Sequence, residues 1–187
     1  SVTGMVSAGG GGLSSTGALV GNSSGLVDRA YANVSVSGGD SVGGLIGTSS
    51  GGSITNSYAT GNVTSNGDAG GLISNLYSTT VLQNSYATGD VSAGRIGGGL
   101  VAVDQGISIN NSYATGDVSG GLRAGGLVGW LLFDASLTNT YASGSVTGGS
   151  DIGGLVGLQQ AGTANITHSF SKGLVSGGTG NMGGLIG

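Results

Sequence analysis

The chain has 187 residues, 45 of them glycine, with no proline, no cysteine and a formal net charge of −4. Its four cations, Arg29, Arg95, Arg123 and Lys172, are too few and too scattered for a nucleic-acid surface or an anionic membrane patch. The lack of cysteine removes disulfides and thiolate metal sites, and a 37% hydrophobic share removes the low-hydrophobicity disordered class.

Taken in chain order, "VTGMVS" at 2–7 and "GALVG" at 17–21 already match phrases that recur downstream. Tyr31, Tyr58, Tyr86, Tyr113 and Tyr141, followed by Phe170, stand at intervals of 27, 28, 27, 28 and 29 residues. A glycine-rich phrase places Leu45, Leu72, Leu100, Leu127, Leu155 and Leu185 between them. The step from aromatic to leucine is 14 residues in five units and 15 in the last. From leucine to the next aromatic it varies from 13 to 15, so loops and insertions belong to that half of the unit.

The segments between are rich in Val, Ile, Thr and Tyr and are broken by glycine every few residues, which predicts short strands. A helical repeat of this period needs amphipathic stretches of ten or more residues, and none is present. The fold predicted is therefore all-β: a parallel β-solenoid, or β-helix, of about 27–28 residues per coil and six to seven coils. With strands ~4.8 Å apart the rod is roughly 30 Å long. Residues 1–187 are read as one solenoid domain, a fragment or a unit of a longer array.

In such a rod, equivalent residues stack in columns. The column two residues before each aromatic holds Arg29, Asn56, Asn84, Asn111, Asn139 and His168, and predicts an asparagine ladder at a corner. The tyrosines form a second column, and the sequence leaves open whether their rings point in or out. His168 is the only histidine and has no second ligand for a metal, so it is read as a member of its column. Asp90 and Asp117 share a column with Asn62 and are read as solvated surface acids rather than a Ca²⁺ site. Thr60, Thr88 and Thr115 form a file of the kind ice-binding solenoids use.

The phrases "GGLIG" at 43–47, "GGLVG" at 125–129, "GGLVG" at 153–157 and "GGLIG" at 183–187, with "NSYATGDV" at 84–91 and 111–118, resemble the GLUG repeat family. The resemblance implies a solenoid outside the cell. Such repeats occur in large bacterial surface and secreted proteins, including filamentous-haemagglutinin-type adhesins and the non-catalytic parts of IgA peptidases. It implies no catalytic, cofactor or metal residues. "AGGLIS" at 69–74 and "GGLVA" at 98–102 lose the closing glycine, and those coils are expected to turn differently.

The largest irregularity is "WLLFD" at 130–134, in the variable half. Trp130, Leu131, Leu132 and Phe133, with Tyr77 two coils away, are the candidate partner-binding residues. Partners expected are host or neighbouring-cell surface molecules, carbohydrate stacked on Trp130, or other copies of the chain, with no nucleic acid and no membrane insertion. No run approaches the ~20 apolar residues of a membrane span. The chain opens and closes inside recognisable phrases, so flanking repeats or end-to-end stacking into an extracellular filament are expected. The function expected is that of a non-catalytic structural rod and adhesive segment of an exported, cell-surface bacterial protein. No enzymatic site is expected, because there is no glutamate and the aspartates recur mostly once per repeat.

Overall fold

The computed structural model describes residues 2–7, 14–77 and 81–187, and the description below concerns these. They contain no helix, and every named strand pairing is parallel. The chain winds as a β-solenoid of about six turns. One coil shows the route. Tyr58–Ala59 leads through a glycine turn to Val63–Ser65, a corner, and Asp68–Gly70. The chain then reverses at Gly71 and Leu72 into Ile73–Leu76, and returns through Val81–Gln83 to the next tyrosine.

Each segment pairs with its counterparts one period before and after, giving four sheets along the rod. Registers run column by column: Tyr58 with Tyr86, Val63 with Val91, Ile73 with Val101, Leu82 with Ile109. The leucine of the glycine phrase continues the ladder across the reversal, its N–H donating to the next leucine's carbonyl from Leu45 to Leu185. Length changes sit mainly at the corner between the third and fourth sheets, where Gln105 is followed by Ser108 but Gln160 by Asn165. The last coil gains one more residue between Gly177 and Met182, which pair with Gly148 and Ile152.

The interior is two narrow lobes rather than one core. The first holds the leucine column with Ile46, Ile73, Leu76, Leu82, Ile109 and Leu131; the second holds Val36, Val63, Val91, Val118 and Val146 with Val42 and Ile152. They divide where alanine meets glycine. A Cβ built on Gly99 would lie 2.9 Å from the Ala114 Cβ and would collide with the Gly126 carbonyl oxygen. Only glycine lets the two walls approach so closely there.

Tyr31–Gly38 is one unbroken strand, as is Val2–Ser7, which pairs with it from the coil before. Later coils carry glycine where Tyr31–Gly38 has Val34, and their strand breaks into a tyrosine half and a valine half. The coils that lose the closing glycine do not turn differently. Ile73 and Val101 keep register with Ile46 and Val128, while Ser74 and Ala102 are fully buried in the glycine's place. Ser74 is accommodated by donating to the Asp68 carbonyl, and Ala102 by packing beside Ile96.

Candidate interaction surfaces

Side-chain alternation places the tyrosines outside, because the next residue, Ala59, Ala87, Ala114 or Ala142, is buried. Their rings stack at 4.8–5.2 Å between centroids, with interplanar angles of 1–9°, from Tyr31 through Tyr141 to Phe170. Ring faces are thus covered by neighbours and only edges reach solvent. This crowding removes water from the phenols of Tyr86 and Tyr113 and raises their pKa.

The corner before each tyrosine is left-handed. Asn56, Asn84, Asn111 and Asn139 have φ of 48–53°, shared by Arg29 and His168 in the same column. Asparagine tolerates this conformation better than most residues. Its amide also bonds along the column: Asn84 donates to Asn56 at 3.3 Å, Asn111 to Asn84 at 3.3 Å, and Asn139 to Asn111 at 3.0 Å. At the lower end Asn56 donates to Asp28, and this amide, with Thr55 and Arg29, holds the Asp28 carboxyl below its usual pKa.

The residue after asparagine completes the corner. Hydroxyls of Ser57, Ser85, Ser112 and Ser169 each accept an N–H from the preceding coil at 3.1–3.2 Å and donate to the carbonyl two residues back. This second polar ladder did not emerge from the sequence reading, although its signal was present as a hydroxyl residue before every aromatic of the stacked column except Tyr31.

Asp90 and Asp117 act as turn acceptors. Asp117 N–H donates to Asp90 Oδ1 at 3.0 Å and Ser145 N–H to Asp117 Oδ1 at 2.7 Å, while Asp90 N–H donates to Asn62. Among the described residues, no group of three or more metal-ligating side chains is found. Thr60 donates to Asn33, and backbone bonds continue the ladder through Thr88, Thr115 and Ser143.

The structure separates the "WLLFD" residues. Leu131 is fully buried in the first lobe, so its place in an exposed patch is corrected: in this strand it is the inward-facing member. Trp130 and Leu132 project to the opposite side, where the second and third sheets face one another across a seam. At its early coils the seam is polar, with Ser15 bonded to Thr48 at 2.7 Å and Asn75 to Ser41 at 2.8 Å. Further along it turns apolar, with Ile96, Ala102 and Val103 beneath Trp130 and Leu132.

Trp130 lies between Val103 and Leu158 in register, and the Arg123 guanidinium sits 4.3 Å from its ring centroid. The indole thus carries a cation against its ring. Its Nε1 is buried without an acceptor. Arg123 also bonds Asp151 at 3.3 Å, and Arg95 grips Asp68 through two nitrogens at 3.0–3.1 Å. Burial nonetheless raises the Asp68 pKa.

Phe133 is the exposed member, at 55%. It occupies the variable corner with φ of 61°, a conformation unfavourable for a bulky residue. Beside it, Asp134 accepts from the N–H and hydroxyl of Thr163, which lower its pKa. Tyr77 is half-buried at the same corner two coils earlier, next to Leu76, and is not adjacent to Phe133. A feature of this corner that sequence reading missed is Asp104, fully buried in register between Leu76 and Leu131. Composition gives no sign of it, since only the strand's alternation turns that side chain inward.

The GLUG motif matches residues 38–64 and 120–147. No curated protein matches the chain. Among solved structures it is similar to one titled IgA1 Protease, with a TM-score of 0.67 and 21% identity over 84% of this chain. The chain spans 15% of that protease chain, and at this identity the likeness is one of fold. With its period and parallel registers, the chain is a β-solenoid that carries GLUG-motif repeats.

Proposed function

We propose that the chain is a non-catalytic rod segment of an exported bacterial surface protein, adhesive through its variable corner. The observation that carries the rod is the use made of polar side chains. Asparagine amides, serine hydroxyls and aspartate carboxylates bond to the neighbouring coil, once per period. Side chains engaged in this way stiffen the array. The contact surface in this reading is the corner where Phe133 projects, flanked by Leu132 and the seam. Partners would be surface molecules of a host or neighbouring cell.

The test is binding of the purified chain to intact epithelial cells and to a glycan array, compared with Phe133→Ser. Binding that falls at least tenfold in Phe133→Ser supports the adhesive corner. No binding by the parent chain, or equal binding by both, defeats it. Small-angle scattering measures the rod separately: a particle much shorter than about 30 Å along its axis would defeat that part.

A second reading, a subunit that stacks end to end into an extracellular filament, is favoured by one observation. The parallel, in-register pairing that joins each coil to the next within the chain is the pairing that would join one chain to another. Strand edges are templates for another coil. Electron microscopy distinguishes the two: concentration-dependent fibres support stacking, and short particles of uniform size at every concentration reject it.

A further inference from the structure

One ionisable group lies inside the apolar interior. Asp104, with no exposed surface, occupies the strand Val101–Gln105 between Leu76 of one coil and Leu131 of the next. Both leucines belong to the first lobe, to which Ile107 and Ile109 also contribute. Its Oδ1 accepts the Ile107 N–H at 3.0 Å and so ties the tight turn at Gln105 and Gly106. Its Oδ2 is buried with no partner.

No cation faces it among the described residues. Strands Ile73–Leu76 and Val128–Leu132 present leucine, and strand Ser108–Asn110 adds Ile109. Asp134, one coil on, is exposed and engaged with Thr163, and Tyr77, the residue after Leu76, is half-buried and brings no cation. Arg123 lies in the second sheet and Arg95 just before its strand Ile96–Gly98, and they are paired with Asp151 and Asp68.

A carboxyl in such a place is stable only while protonated. We propose that Asp104 makes this corner a proton-controlled joint, closed while the carboxyl is neutral and opened when it ionises. The ionised group must reach water, which requires the turn at 105–107 to lift and release the Ile107 N–H. Phe133 stands beside this turn: a Cβ built on Gly106 would lie 3.3 Å from the Phe133 Cβ. Opening therefore also frees the neighbouring exposed corner and uncovers Leu76, Ile107 and Leu131.

The sign follows from linkage. Burial pushes the Asp104 carboxyl from its ordinary 3.8 up to about 8, whereas in the opened corner it regains the ordinary value. Below about 4 both states hold the proton and the corner stays closed. Between about 4 and 8 only the closed state holds it, so opening grows about tenfold per pH unit and levels off above about 8.

Hydrogen exchange of the Ile107 amide, corrected for intrinsic chemistry, tests this in the intact chain from pH 5 to 9. The expected result is an opening constant that rises about tenfold per unit to near pH 8 and is flat above. Asp104→Asn, which keeps an Oδ1 acceptor for the Ile107 N–H but does not ionise, is expected to abolish the rise and leave the amide protected throughout. Should that variant fold poorly, the carboxyl carbon resonance of Asp104 in the unsubstituted chain reads the same group. Titration of that carbon below pH 5, or Ile107 opening independent of pH, overturns the proposal.

Discussion

At the scale of single residues, the repeated asparagine has two tasks. It holds a left-handed corner and passes an amide hydrogen bond up the column. Asn111→Gly keeps the conformation and loses the amide; Asn111→Ala loses both. Urea denaturation is expected to rank the three chains Asn, Gly, Ala, with the alanine chain about 1–2 kcal/mol below the parent. Equal losses from Gly and Ala would show that the conformation contributes nothing. Phe133 gives the converse case. It holds a similar dihedral with no side-chain ladder and with 55% of its surface exposed. Phe133→Asn is therefore expected to raise stability by roughly 0.5–1 kcal/mol. A more stable variant that has also lost cell binding would assign the strain at this residue to function.

At the scale of the element, the glycine phrase is a hinge between sheets and also the wall between the two interior lobes. Its second glycine lies against both an alanine Cβ and the backbone of the next coil, neither of which can yield. Gly99→Ala is expected to cost at least about 3 kcal/mol or to prevent folding, near or beyond the upper range for overpacked cores. Gly25→Ala is the control, because a Cβ there meets nothing within 4 Å, and its stability should match the parent's within about 0.5 kcal/mol. Comparable losses in both would mean that glycine is needed for chain flexibility rather than for the close approach.

The same element explains why two divergent phrases fold alike. Serine and alanine at 74 and 102 fill the closing position without breaking register, Ser74 by donating to the Asp68 carbonyl and Ala102 by packing beside Ile96. They do so although a Cβ built on Gly47, Gly129 or Gly157 would meet neighbouring atoms at 2.5–2.6 Å. Sequence reading expected these two coils to turn differently. What makes room for their Cβ atoms lies in the facing sheet, which one unit's residues do not reveal.

At the scale of the molecule, each coil bonds only to the coils before and after it. Stability is then approximately a sum over coils and their interfaces, and opening proceeds from the ends. Amide exchange should be slowest at Leu100 and Leu127, whose ladder bonds lie mid-rod, and fastest in the last coil at Phe170. Uniform protection along the rod would instead indicate one cooperative unit. The single tryptophan offers a local probe of the coil of Leu127, where Arg123 covers its ring.

Sequence alone determined the period, the parallel stacking and the membership of each column, from Asn84 above Asn56 to Trp130 above Val103. In a parallel, in-register solenoid one sequence repeat is one turn, so residues a period apart must be neighbours. Tertiary structure alone decided which way columns face: Tyr58 out with Ala59 in, Trp130 onto the seam with Leu131 in the lobe, and Asp104 sealed between leucines. The reason is that strand alternation restarts at every corner. Its phase there is set by left-handed asparagines and closely packed glycines, whose placement depends on the opposite wall of the coil.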